Sequence, residues 1–157
     1  MIPEQILPVT MLVPAADAGG RASSYFSLKG AERAYIVVYM NQGNAATVAL
    51  AVNQATAVAG TGTKAIGVTR IWTNIDAAAG AAFAKVTEAA TFTTAAGVAH
   101  KIVVFEVGPY CMDVAGGFDC VNVVTGASNA ANITSAMLFL SKPKYQGATA
   151  PISPIAD

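Results

Sequence analysis

Charge is what this chain has least of. Only 11% of its 157 residues are Asp, Glu, Lys or Arg, against about 25% in an ordinary soluble domain. Nine basic and nine acidic residues cancel, scattered without a run of either sign. Nucleic-acid binding calls for a basic face, so no nucleic-acid partner is expected. There are two cysteines, Cys111 and Cys120, and one histidine, His100. That set is too small for a zinc site of the usual kind, and no metal or other cofactor is expected. No apolar run approaches the ~18 residues that span a bilayer, so no membrane partner is expected either. The opening MIPEQILPVTMLV places Glu4 before any Lys or Arg, unlike the positive start of a signal peptide. A soluble, cytosol-made protein is expected, with its two thiols reduced and buried.

Helical periodicity is missing as well. The 33 alanines alternate with Thr, Val, Gly and Asn, whereas a helix would repeat apolar residues every three or four positions. Short runs rich in Val, Ile, Phe and Tyr, bounded by turn residues, read as strands. Two of them, Phe118–Thr125 and Ile133–Ser141, flank a Gly/Ala/Ser/Asn segment and are expected to centre the core. The second is apolar on both parities, so it is buried on both faces or lies at a subunit contact. Arg33–Asn41 puts Ala34, Ile36, Val38 and Met40 on a core face, and Arg33, Tyr35, Val37 and Tyr39 on the other. Ala45–Ala55 alternates likewise, and the Gln42-Gly43-Asn44 turn predicts a hairpin between the two. Pro14–Ser24 reads as a loop, and His100–Val107 as a strand.

Eight or nine strands at near-regular spacing predict an all-β fold, an antiparallel β-sandwich with the jelly roll as first choice and a barrel as second. The expected core includes Ile36, Val38, Val48, Leu50, Val103, Phe105, Val121, Val123, Leu138 and Leu140. Residues 1–13, with Pro3 and Pro8, form an N-terminal arm or edge strand. The sandwich spans 14–142. Residues 143–157 hold three prolines and form an extended C-terminal tail. Tyr145, Ile152 and Ile155 are its isolated apolar groups and its expected partner contacts.

Catalytic motifs are not found. Gly60-Thr61-Gly62-Thr63-Lys64 lacks the spacing of a phosphate-binding loop. His100 has no carboxylate and nucleophile at a spacing that selects a catalytic set; it reads as a strand-end side chain, and no enzyme is expected. Asp113 and Asp119 offer few oxygens for calcium. Asn132-Ile133-Thr134 matches a glycosylation sequon but reads as strand. Trp72, Tyr35, Tyr39 and Tyr110 could make an aromatic sugar platform, although strand aromatics more often serve cores and interfaces.

Four segments carry a family resemblance: VPAADAGG, SYFSLKGAERAYIVVY, AVNQATAVAGTGTKAIGVTRIWTN and GFDCVNVV. Between about Val13 and Lys144 the chain resembles the small β-rich head proteins encoded near the major capsid gene of tailed bacteriophages. The resemblance implies a virion structural protein, a decoration or cement protein on the capsid surface, made in the host cytoplasm. Its implied partners are the major capsid protein and further copies of itself. Low charge agrees with a surface that copies or partners cover. The alternatives are another virion component (head–tail joining, tail or head-fibre protein) and a carbohydrate-binding β-module.

Overall fold

In the computed structural model, residues 6–143 and Ile155 are described. Among them every regular element is a strand. The strands are β1 (Ile6–Ala16), β2 (Arg21–Ala22), β3 (Phe26–Ser27), β4 (Ala31–Gln42), β5 (Ala49–Ala55) and β6 (Lys64–Ala65). They continue as β7 (Thr69–Asn74), β8 (Ala84–Ala89), β9 (Thr91–Thr93), β10 (Ala99–Val107), β11 (Cys120–Thr125) and β12 (Asn132–Pro143). They form two sheets. One runs β1-β12-β4-β10-β7-β8; the other runs β2-β11-β5-β6, with β3 against β11 and β9 against β5.

The pairing is nested, and every pair is antiparallel. β1 pairs β12, β2 and β3 pair β11, β4 pairs β10, and β5 pairs β9. A long hairpin folded back on itself and wrapped into two sheets gives this pattern, which is a jelly roll. The β7–β8 hairpin is an insertion that widens the first sheet beyond β10.

Alternation decides which side chains meet between the sheets. All ten expected core residues are buried, and nine of them lie at 0 or 1% exposure; only Leu140 reaches 8%. Ile71, Val52 and Val107 complete the same layer at 0%. Burial of aliphatic side chains at ~25 cal/mol per Å² is the main stabilising term.

Strand partners differ from the sequence-based expectation in two places. β4 and β5 do not form a hairpin; they lie in different sheets, and residues 43–48 cross one end of the sandwich. Buried Gln42 pins this corner, donating to the carbonyls of Ala46 (3.0 Å) and Ala95 (3.1 Å) and accepting from Thr94 and Lys101. β11 and β12 are each central, but in opposite sheets. Period-two alternation fixes a strand's inner face and says nothing about its neighbour.

Pro14–Ser24 is also more regular than a loop. β1 continues to Ala16, and β2 forms after a turn at Asp17–Gly20. Gly20 has φ +70°, and a Cβ there would meet the Thr125 carbonyl oxygen at 2.7 Å.

Candidate functional site: the outer face of the first sheet

The residues that alternate away from the core on β12, β4, β10 and β7 share one face. Register places them in rows. The middle row reads Thr10–Met137–Val37–Val104–Trp72–Lys85 across all six strands. Its centre is four apolar side chains wide. Met137 is 39% exposed and Trp72 40%, while Val37 and Val104 are half-buried by their neighbours. The row on one side reads Ser135–Tyr39–Ile102, and Tyr39 is 42% exposed. These two rows carry one charge between them, Lys85 at the far edge.

The row on the other side reads Phe139–Tyr35–Glu106–Arg70. Here the charges neutralise one another. Glu106 accepts from Arg33 at 2.7 Å and from Arg70 at 3.3 Å. Arg70 also lies over the Tyr110 ring, 5.2 Å from its centre. The Tyr110 hydroxyl donates to the Glu106 carbonyl at 2.6 Å. Burial, then the nearby Cys111 and Glu106, push the Tyr110 hydroxyl up to about 12. The face is therefore apolar in the middle with a paired polar rim, the anatomy of a protein contact surface.

β12 now has an account of its double-sided apolarity. Ala136, Leu138 and Leu140 face the core, while Ile133, Met137 and Phe139 face outward. Of the aromatic residues weighed as a sugar platform, Tyr35, Tyr39 and Trp72 share this face. Tyr110 stands at its rim.

The remaining sequence candidates fall elsewhere. His100 places Nδ1 2.6 Å from the Tyr39 hydroxyl, with the two rings stacked at 6.0 Å. Asp113 is held by Lys64 at 2.5 Å and by the Gly116 amide at 3.0 Å, and these bonds lower its carboxyl. Asp119 lies 3.6 Å from Lys29. Among the described residues, no three His, Cys, Asp or Glu side chains gather where a metal could sit. In the 60–64 turn, Thr63 donates to the Gly60 carbonyl at 2.7 Å, and Lys64 sits 3.9 Å over the Phe118 ring. Asn132 is buried, its amide donating to Ala46 and Ser128, so the sequon is closed to a glycan. Cys111 and Cys120 are both buried, and burial raises the Cys111 thiol. Tyr145 and Ile152 lie outside the described residues; Ile155 is 62% exposed.

Sequence reasoning missed Val37, Val104 and Met137 as a joint patch. Each was assignable to an outer face, but only strand order lines them up.

No family model matches the chain, and no curated protein matches it. Among solved structures, SPBc2 prophage-derived protein YomS is similar at a TM-score of 0.47 and 9% identity. That match covers 87% of this chain and 93% of the other. No helix among the described residues is long and apolar enough to cross a membrane.

Proposed function

We propose that this chain is a non-catalytic structural component that works by covering protein surface, and specifically a decoration protein on the head of a tailed bacteriophage. The observation that carries the reading is the apolar row Met137–Val37–Val104–Trp72, left on the outside of a fully formed sandwich. Contiguous exposed apolar surface of several hundred Å² marks interaction sites. The sequence resemblance supplies the setting, a capsid lattice with many equivalent seams. Each copy then adds modest binding energy, and repetition multiplies it.

Attachment to the lattice is assigned to the proline-rich tail, with Tyr145, Ile152 and Ile155 as its contacts. Proline restricts the free chain, so such a tail loses less entropy on docking. Deleting residues 145–157 and measuring circular dichroism and co-sedimentation with heads tests this. A folded domain that binds weakly or not at all is expected; undiminished binding would show the tail to be idle. Electron microscopy of the particle tests the function itself. Hundreds of copies in icosahedral register are expected. A ring of few copies would make the chain a joining or tail component. Glycan binding that depends on Tyr35, Tyr39 and Trp72 would favour the carbohydrate module, the second reading that the shared aromatic face supports.

A further inference from the structure

We infer that the outer face of the first sheet seats a second copy of this chain, the two related by a two-fold axis in the contact plane near the Val37–Val104 pair. The inference rests on the reading of the chain as a structural binding protein, and names what covers this face.

Three observations select a copy of the same face as the occupant. The first is charge. The central rows bear no charged side chain between Met137 and Trp72 or between Ser135 and Ile102. Glu106, the acid within the flanking row, is already held by Arg33 and Arg70. An acidic, basic or strongly polar partner would find nothing unpaired there to bind, whereas an uncharged apolar face would. The same face on a second copy has that chemistry.

The second is size. Six strands at ~4.8 Å spacing, with ~9 residues each at ~3.3 Å rise, make a face of roughly 850 Å². A stable two-protein complex buries about 800 Å² on each partner. The face matches one whole partner footprint and needs no other part of the molecule.

The third is shape and symmetry. A sheet face packs well on another sheet face, twisted by about 30° with some 10 Å between them. A two-fold contact uses the same patch on both copies, so the patch must complement itself. The central positions are Val37 and Val104, small and flat. The large side chains Tyr39, Trp72 and Met137 stand around them, where they can interleave with their counterparts.

The chain carries its own reporter. Trp72 is its single tryptophan and stands in the central row, 40% exposed in the isolated copy. Sedimentation of the full chain across micromolar concentrations should show a dimer. Trp72 emission should shift to the blue as the dimer forms. Val37→Asp points a charge away from the core, so its circular dichroism should stay that of the parent. Its self-association should weaken roughly thirtyfold or more, as at a central contact. Met137→Lys should act in the same direction. Thr93→Asp, on an exposed position of the other sheet, should leave the dimer intact.

A monomer at every concentration would overturn the inference. So would a dimer that survives both face substitutions. Trp72 emission that is independent of concentration, and shifts to the red when residues 145–157 are deleted, would overturn it by giving the face to the chain's own tail. A shift seen only on phage heads would overturn it by giving the face to the capsid protein. The decoration role is read separately. A dimer that ignores heads would keep this inference and remove that role, and a monomer that binds them would do the reverse.

Discussion

Asp17 is a carboxylate with no exposure to solvent. It accepts from Arg21 Nε at 2.9 Å, from Thr125 Oγ1 at 2.8 Å and from the Thr134 hydroxyl. The same guanidinium donates to the carbonyls of Val13 (2.9 Å) and Thr134 (2.7 Å). Asp17 sits in the turn after β1, and its partners Val13, Arg21, Thr125 and Thr134 lie on β1, β2, β11 and β12, so one ion pair ties the two sheets together. Removing one partner of a buried pair leaves the other charge uncompensated, at a cost of about 3–5 kcal/mol. Arg21→Met should lose about that much in urea unfolding; a loss under ~1 kcal/mol would mean that the hydroxyls alone satisfy Asp17. Tyr110 makes a second residue-scale prediction. The folded chain holds its phenolic proton to about 12, while the unfolded chain releases it near the ordinary value of 10. Above pH 10 the folded state therefore binds more protons, and stability falls as pH rises towards 12. Tyr110→Phe should flatten that alkaline decline in unfolding curves taken across the window. An unchanged slope would assign the decline to other groups.

At the scale of the element, alternation made the strands legible, and burial followed. Ile36, Val38, Val103 and Phe105 were readable as core because each sits in a run whose other parity carries Tyr, Arg, Glu or His. What could not be read was adjacency. The Gln42-Gly43-Asn44 turn looks like a hairpin, yet the chain crosses to the other sheet there. Gln42 points inward and uses its amide to hold Ala46 and the distant Ala95; the second is a long-range bond that no local pattern encodes. The candidate face suffered the same limit: Tyr35 and Tyr39 could be placed outside, but their alignment with Phe139, Ile102 and Trp72 needed the register. β12 is the element where both readings meet. Leu138 is fully buried between the sheets, while Met137 beside it faces out. Leu138→Ala should cost ~2–5 kcal/mol in denaturant unfolding, the range for a core leucine. A cost below ~1 kcal/mol would mean the core closes over the vacated space.

For the whole molecule, the nested pairing sets where the ends of the sandwich lie. β1 and β12 are neighbours, and Ile6 stands opposite Ser141. The pairing closes residues more than a hundred positions apart, a topology that folds slowly because loop entropy is lost before the contacts form. It also gives the molecule a mechanical grain. Tension applied to both ends at once would pull adjacent antiparallel strands apart from the same end. The rungs of the ladder would then open one at a time, each bearing the full load alone. Tension between one end and the body of the sandwich would instead load many rungs of β12 together, because β12 lies between β1 and β4. A chain built this way holds a load best when it is gripped by a single tail and by the broad face of its sheet.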